Sequence, residues 1–398
     1  MISVAEAQDR ILAAIAPVSG ESVSLARAGG RVLADAVMAR RTQPPVAVSA
    51  MDGYAVRATD VATVPATLTV VGSVAAGTAF AGEITSGQAV RIFTGAPLPK
   101  GADTIVIQEN TESAGKQVVV QESATAGTYV RRAGLDFLAG DVLLRGGTYL
   151  GPAQISLAAA MNAPWLRVRR RPRIALISTG DELVMPGEPV GASQIISSNA
   201  LGLAAMIRAA GAEAIDLGIA HDNKDAILEL VDAAKGADLL ITLGGASVGD
   251  HDLVQAALAE RGLNLDFWKI AMRPGKPLMF GHIGEMPILG LPGNPVSSLV
   301  CGLLFVKPVI AKMLGQPKDK RPRRTAKLGR ALGENDQRED YLRATLSYDE
   351  TESVVATPFS RQDSSMLSKL SVAQCLIIRP PLAPAAPLGT PVPIIELV

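Results

Sequence analysis

The chain has 398 residues, with 38 basic and 38 acidic side chains, so it carries no formal net charge. A neutral chain has no overall attraction for nucleic acid or for an acidic membrane, and any anion site must be local. Hydrophobic residues make up 48% of the chain and charged residues 19%, which excludes a disordered protein. The length exceeds what one hydrophobic core usually organises, so we expect two to four domains.

Neither an export signal nor a membrane span is expected. The chain begins MISVAE, with an early acid and no basic region. Its longest apolar candidate, 296–309, is interrupted by Lys307 and Pro308 and falls short of the roughly 18 residues of a spanning helix. Cys301 and Cys375 stand alone, which excludes a zinc module or a disulfide framework. We therefore expect a cytoplasmic protein that binds no membrane.

The first predicted element is a helix. Ser3 and Glu6 have capping-box spacing, and Pro17 ends the helix after about three turns. From 44 to 131, short Val, Ile and Thr runs are punctuated by glycines, which is typical of a small β domain. The clearest of these runs are 67–71, 90–93, 104–108 and 118–120. Because 136–171 returns to a helix-like composition, we interpret the β domain as an insertion.

The clearest pattern lies in 172–315, where short unbroken apolar runs alternate with helical stripes. Strands are predicted at 174–178, 214–219 and 239–243, and helices near 201–210 and at 224–234. This order predicts a doubly wound α/β domain. Short strands after the basic, proline-rich stretch 316–324 predict a terminal β domain. The predicted domains are a helical and linking domain (1–45 and 136–171), an inserted β domain (46–135), the α/β domain (172–320) and a C-terminal β domain (321–398).

Three loops after predicted strands carry unusual polar residues, at the sheet edge where ligands bind in such folds. They are STGDEL at 178–183, LGGASVGDHD at 243–252 and LPGNPVS at 291–297. The glycines let backbone amides approach an anion, and Pro295 suits the first position of a helix. Any one of these loops alone has an equally good structural explanation, because Asp and Ser commonly cap helices. Together they indicate a ligand site.

Two basic segments are interpreted differently. Three cations, Lys269, Arg273 and Lys276, stand within FWKIAMRPGKP at 267–277, where proline and glycine fix a turn that can present Lys276 to a phosphate. Outward-facing, solvated cations are the alternative. The run at 167–173 is interpreted as a solvated linker and not as a nucleic-acid site, because aromatic residues are only 4% of the chain and none is interleaved for stacking.

With SAMDGYAVR at 49–57 and TGAP at 94–97, these loops resemble the molybdopterin molybdenumtransferases, a family that includes the C-terminal part of gephyrin. The resemblance spans nearly the whole chain, in the same order. It implies a multidomain α/β plus β protein with a doubly wound α/β domain of the molybdopterin-binding type, an inserted β domain, a helical N-terminal segment and a C-terminal β barrel-like domain. It also implies an elongated homodimer with shared active sites.

The resemblance implies a reaction as well, in which adenylylated molybdopterin and molybdate give molybdenum cofactor and AMP with the assistance of Mg²⁺. Both substrates are anions, so the site needs a cation held by carboxylates, together with basic side chains and backbone amides. No covalent nucleophile is required. Molybdopterin adenylyltransferase and molybdoenzymes are candidate protein partners. Molybdate and tungstate are too alike in size and charge for the sequence to separate them.

Site residues follow from the resemblance position by position. The implied catalytic residues are Asp52, Thr94, Asp136, Glu182, Asp222 and Asp252. Glu182, Asp222 and Asp252 are expected to hold Mg²⁺, whereas Asp52 and Thr94 are expected to reach in from the partner protomer. For Asp136 a turn carboxylate beside a glycine is the alternative. The substrate-binding residues are Arg131, Ser178, Thr179, Gly180, Gly244, Gly245, Ser247, Lys269, Arg273, Lys276, Pro292 and Pro295.

The chain departs from the family pattern in a few places. Members often carry Asp-Thr-Asn where this chain has Ser-Ser-Asn at 197–199, and a lysine where Arg273 stands. The missing carboxylate would reduce metal affinity, and arginine keeps the charge with another geometry. His221 stands where members have arginine and is given no catalytic role.

Two rival functions fit parts of the sequence. The first is adenylation of molybdopterin by ATP, which the α/β domain alone would fit, but SAMDGYAVR and the two β regions argue against it. The second is a non-catalytic scaffold or pterin-binding paralogue. The four retained carboxylates favour the enzyme over the scaffold: Asp52, Glu182, Asp222 and Asp252.

Overall fold

The structure, a computed structural model, describes residues 1–245, 253–317 and 323–397. Two predicted site residues, Ser247 and Asp252, lie outside the described residues. The chain forms two compact units. The large unit comprises Met1–Glu21, Gly30–Ala34 and Val168–Val398, and the small unit comprises Ser22–Gly29 and Asp35–Arg167.

The helices are short. Within the described residues they are α1 Val4–Ala13, α2 Pro152–Ala160, α3 Asn199–Ala209, α4 Lys224–Ala233, α5 Leu253–Glu260, α6 Pro295–Cys301, α7 Lys307–Met313 and α8 Leu367–Ser371. Single 3-10 turns occupy Leu25–Arg27, Ala58–Val61 and Gln108–Asn110, and Gly302–Val306 is π-helical.

Strands make up most of the remaining regular structure. In the first part of the chain they are β1 Gly20–Ser24, β2 Val37–Met38, β3 Val48–Ser49, β4 Gly53–Val56, β5 Ala66–Val74, β6 Gln88–Ile92, β7 Thr104–Ile107, β8 Thr111–Ala114, β9 Gln117–Val120, β10 Val130–Arg131 and β11 Val142–Leu144. The middle part contains β12 Trp165–Arg169, β13 Arg173–Thr179, β14 Leu183–Val184, β15 Ile195–Ile196, β16 Glu213–Ala220, β17 Leu239–Leu243, β18 Leu263–Trp268, β19 Met272–Arg273, β20 Met279–Ile283 and β21 Met286–Leu291. The last part contains β22 Arg324–Leu328, β23 Glu339–Tyr348, β24 Val354–Pro358, β25 Cys375–Arg379 and β26 Pro391–Glu396.

The small unit is built on a six-stranded sheet in the order β7-β4-β6-β5-β9-β8. All neighbours in it are antiparallel except β5 and β6. Side chains alternate between two cores, since Tyr54 and Val56 pack on one face and Ala55 on the other. The predicted β domain is thus confirmed, with both faces of its sheet covered.

The large unit contains a second six-stranded sheet, in the order β16-β13-β17-β21-β20-β18. Its first four strands are parallel. Ile174 and Leu176 of β13 face one core, and Ala175 and Ile177 face the other, so helices cover both sides. The doubly wound fold is confirmed. The sheet is mixed rather than wholly parallel, because a tight turn at Gly284 folds β20 and β21 into an antiparallel pair.

The helical run Pro295–Met313 is, within the described residues, long and apolar enough to cross a membrane by length and composition alone. Buried positions make up 67% of its apolar window, and Val300, Phe305 and Ile310 pack in the core of the large unit. We therefore interpret it as a core helix. The sequence predicted a break at Lys307 and Pro308, but the π-helical turn before Pro308 accommodates the missing backbone N–H.

The end of the chain forms a closed five-stranded barrel. Its strands follow the order β23-β24-β22-β26-β25, and β25 pairs with β23 to close the ring. Leu328, Ile377 and Ile394 fill its interior. Strand β19 lies between β18 and β20 in the α/β part of the chain, and it pairs in parallel with β23 of the barrel. This pairing connects the barrel to the α/β domain. The predicted barrel-like domain is confirmed.

Two local expectations need revision. The Ser3 hydroxyl accepts the backbone N–H of Glu6 at 3.1 Å, as in a capping box, but the Glu6 carboxylate pairs with Arg10 instead of returning to the cap. The basic run at 167–173 is only partly solvated. Arg167 and Arg171 are exposed, whereas Arg170 donates twice to the largely buried carboxylate of Asp238, at 2.7 and 2.6 Å.

Candidate active site

A cavity of about 910 Å³ lies at the carboxyl ends of the parallel strands. Its walls include residues of the three loops singled out in the sequence, which follow β13, β17 and β21. Loop residues from three strands meet here because parallel strands all end at one edge of the sheet. Nine predicted site residues line this cavity: Ser178, Thr179, Gly180, Glu182, Asp222, Gly244, Gly245, Pro292 and Pro295.

Gly180 makes room for Glu182. The backbone at Gly180 has a φ of 143°, and a Cβ added there would lie 2.7 Å from Cδ of Glu182. Such a distance is far below ordinary van der Waals contact, so the carboxylate folds back over the glycine. The glycine in this loop therefore sets where a cavity carboxylate lies.

Six polar residues of the cavity wall were not among the predicted site residues: Ser197, Ser198, Asn199, Asn294, Ser297 and Ser365. All but Ser365 stand in segments that the sequence singled out, 197–199 and 291–297. The Asn199 side chain donates to the carbonyl of Gly293 at 2.6 Å, which ties the start of α3 to the loop after β21. Most of these residues stand at helix starts on the predicted edge, and that position was the available signal. Ser365 had no such signal, because it comes from a loop of the barrel.

Buried Arg343 of β23 holds the loop that carries Ser365. Its guanidinium donates to the carbonyls of Met366 at 3.0 Å and of Asp363 at 2.9 Å. Beyond this clamp, the backbone N–H of Val296 donates to the carbonyl of Ser364 at 3.0 Å. The barrel loop is thereby fixed to the start of α6 at the cavity wall.

The three cations of the predicted basic turn are not among the residues that line the cavity. The Lys269 ammonium lies 4.4 Å from the Trp268 ring centre. The Arg273 guanidinium bonds Asp340, with Nε to Oδ1 at 2.6 Å, and contacts Asp336 at 3.2 Å. Lys276 is exposed.

In the small unit the structure brings Asp52 and Thr94 together. Oδ1 of Asp52 accepts from the backbone N–H and from the hydroxyl of Thr94, both at 2.7 Å. These two hydrogen bonds lower the pKa of Asp52, the backbone bond having the larger effect. Arg131 lies in β10, which pairs with β3 just before the Asp52 loop, and it is exposed. Asp136 is also exposed and its backbone N–H bonds the turn at residue 43.

The cavity offers a metal ion two carboxylates. No group of three or more His, Cys, Asp or Glu residues that could hold a metal occurs within 1–245, 253–317 and 323–397. Mg²⁺, however, is commonly held by one or two protein carboxylates, with water and substrate phosphates completing the shell. Glu182 and Asp222 fit that mode of binding, in which the substrate supplies the remaining oxygens.

Comparison with protein families accounts for nearly the whole chain. Residues 2–162 match the model of the MoeA N-terminal region, domains I and II. Residues 175–312 match a probable molybdopterin binding domain. Residues 325–397 match the MoeA C-terminal region, domain IV.

Individual relatives agree with these matches. The molybdopterin molybdenumtransferase of Haemophilus influenzae is 35% identical over 95% of this chain and 94% of its own length. That of a Nostoc species is 43% identical over 76% of this chain and 71% of its own length. The crystal structure of the molybdopterin biosynthesis MoeA protein from Pyrococcus horikoshii matches 100% of this chain and 99% of that chain, with a TM-score of 0.86 and 29% identity. The chain therefore belongs to the molybdopterin molybdenumtransferase family.

Proposed function

We propose that this enzyme inserts molybdate into adenylylated molybdopterin, with release of AMP, to give molybdenum cofactor. The observation that carries the proposal is the cavity at the sheet edge, where Glu182 and Asp222 stand among hydroxyls and glycine amides. Such a wall suits two anionic substrates that must approach one another. Relatives that match this chain in sequence over most of their length carry the name of this activity.

Each group in the wall has a proposed task. Glu182 and Asp222 would hold Mg²⁺, and Asp252, which lies outside the described residues, is proposed to join them. When bound, the cation would supply positive charge that offsets the repulsion between the two anionic substrates. Hydroxyls and backbone N–H groups at 178–180 and 244–245 donate to the substrate, as does Ser247. Lys269 and Lys276, which do not line the cavity, are proposed to attract the anionic substrates through their charge.

The test is incubation of the purified protein with adenylylated molybdopterin, Mg²⁺ and molybdate. We expect AMP and metallated cofactor to form in equal amounts without added ATP. Formation of adenylylated product from molybdopterin and ATP would instead support the adenylation activity. Binding of the pterin with no release of AMP would leave a scaffold and overturn the proposal.

We further propose a homodimer in which Asp52 and Thr94 complete the site of the partner protomer. The small unit exposes large apolar side chains, among them Met38, Leu135 and Trp165, at 57%, 64% and 64%. Such side chains are common in subunit interfaces. Mixed dimers of Asp52→Ala and Glu182→Ala protomers should regain activity, since half of their sites contain both intact residues. No recovery in verified mixed dimers would exclude shared sites.

A cytoplasmic location is also proposed. Cys301 and Cys375 are free, buried thiols, as is usual for proteins of a reducing compartment. Molybdopterin adenylyltransferase, as supplier of the adenylylated substrate, and molybdoenzymes, as acceptors of the product, are the proposed partners. Co-purification with these two partners from cytosol at low ionic strength tests the location and the partners.

A further inference from the structure

The two cavity carboxylates stand on different loops. Glu182 follows β13 and Asp222 follows β16, and the last register pair of these strands joins Thr179 to Ala220. The backbone N–H of Gly180 then donates to the carbonyl of Ala220 at 3.3 Å. Strand pairing ends at this point, because Glu182 comes three residues after Thr179 and Asp222 comes two residues after Ala220. Contacts beyond the strands must therefore set the spacing between them.

Asp181 makes those contacts. Its Oδ1 accepts the backbone N–H of Asp222 at 3.1 Å and lies 3.0 Å from Nδ1 of His221. In return, the backbone N–H of Asp181 donates to Oδ2 of Asp222 at 3.4 Å. Each aspartate therefore bonds the main chain of the other. The hydrogen bond from Asp222, followed by that from His221, lowers the pKa of Asp181.

The location of Asp181 indicates that it does not act on the substrate itself. It is absent from the cavity wall, whereas its neighbours Gly180 and Glu182 are part of it. Its side chain is 66% exposed and that of His221 is 79% exposed, so neither fills a core. The contribution of Asp181 and His221 that the structure shows is therefore the set of hydrogen bonds between the two loops.

We propose that Asp181 is a positioning residue that sets the distance between Glu182 and Asp222, with His221 bracing the same carboxylate. The inference rests on the proposed function, which gives the two cavity carboxylates their task. Partners that orient metal-binding groups typically change metal affinity or activity about tenfold or more when they are removed.

The first test is metal binding, measured with Mn²⁺ alone by electron paramagnetic resonance. Asp181→Ala removes the acceptor and should weaken Mn²⁺ binding about tenfold. Asp181→Asn keeps the Oδ1 acceptor for both donors and should bind Mn²⁺ with an affinity close to that of the wild type. Asp225→Ala is the matched control, because it removes the same charge from an exposed position in the first turn of α4. It should bind Mn²⁺ normally.

The second test reads the hydrogen bond itself, through amide hydrogen exchange at Asp222. Exchange should be faster in Asp181→Ala and unchanged in Asp181→Asn. If the wild type binds no Mn²⁺, the metal assignment of the proposed function is wrong, and the exchange experiment alone decides the role of Asp181. Unchanged exchange in Asp181→Ala would overturn the inference. Equal loss of Mn²⁺ affinity in both variants would also overturn it, by assigning the effect to charge.

Discussion

At Gly180 a single hydrogen in place of a side chain leaves space for the Glu182 carboxylate. Gly180→Ala should displace that carboxylate, since its new methyl group would overlap Cδ and both carboxylate oxygens. It also places alanine at a φ that favours glycine. We expect a loss of about 1–3 kcal/mol in the free energy of unfolding. The proposed role of Glu182 adds a fall in kcat of about tenfold.

A matched glycine separates these two effects. Gly236 also has a positive φ, 86°, but a Cβ there would come no closer than 3.9 Å to its nearest neighbour, Arg173. Gly236→Ala should therefore show the loss of stability with normal turnover. Urea unfolding and steady-state kinetics on both variants provide the measurement. Normal turnover in Gly180→Ala would show that the position of Glu182 does not matter to the reaction.

Asp52 offers a prediction about pH. Because hydrogen bonds from Thr94 depress its pKa in the folded state, they stabilise the fold above the ordinary Asp pKa, and this contribution is lost as pH falls through the lowered value. Thr94→Val removes the hydroxyl but keeps the backbone N–H. The pKa of Asp52 should then rise only part of the way to its ordinary value.

Carbon-detected NMR titration of the Asp52 carboxyl group measures this change. Thr67→Val, an exposed change elsewhere in the small unit, should leave the titration unaltered. An unaltered titration in Thr94→Val as well would mean that the hydroxyl has no influence on the carboxylate.

At the scale of elements, β23 joins barrel and cavity through Arg343. Arg343→Met should leave the carbonyls of Asp363 and Met366 unpaired, at a cost of about 1–3 kcal/mol of unfolding free energy. Release of this loop should also raise the substrate KM, because Ser365 would no longer be held at the wall. Guanidinium unfolding and kinetics measure the two effects.

Arg361→Met serves as the control, since Arg361 is an exposed arginine of the same barrel loop. It should change neither the unfolding free energy nor KM. If Arg343→Met were as stable as the wild type and equally active, the clamp would have no role in holding Ser365.

The elements differ in how far the sequence alone can predict them. β13 and β17 are predictable because burial on both faces demands unbroken apolar runs, and the polar loops that follow must meet at one edge. Ser365 is not predictable this way. Its place depends on a barrel loop that meets α6 from a distant part of the chain, and such a contact leaves no local pattern. The antiparallel edge of the sheet was not predicted either, although its signal is local, because the tight turn at Gly284 joins β20 directly to β21.

At the scale of the whole molecule, Arg273 links the α/β domain to the barrel. The sequence suggested an anion-binding role, which stays a prediction, and the structure adds a contact with the buried Asp340. Burial, only partly offset by Arg273, raises the pKa of Asp340. Arg273→Met should therefore destabilise the large unit at neutral pH by about 1–3 kcal/mol.

The pH dependence has a definite sign. A carboxyl group whose pKa is higher in the folded state than in the unfolded state stabilises the fold at low pH. This contribution to the free energy of unfolding is lost as pH rises through the folded-state pKa. Removal of the arginine raises the pKa of Asp340 further. The loss of unfolding free energy caused by Arg273→Met should therefore become smaller as pH is lowered from 7 to about 4. Urea unfolding at both values checks this. A molybdate affinity lost at unchanged stability would favour the anion-binding role instead.

Two contacts affect how this protein can evolve: the pairing of β19 with β23 of the barrel, and the position of Ser365 of the barrel in the cavity wall. A gene that lost the barrel would lose part of the cavity wall, and a barrel alone would expose the edge of β23 that β19 covers. The two folds are therefore expected to be inherited as one unit in duplications and recombinations. Within that unit, a substitution at Ser365 would change the cavity wall and leave the parallel sheet untouched.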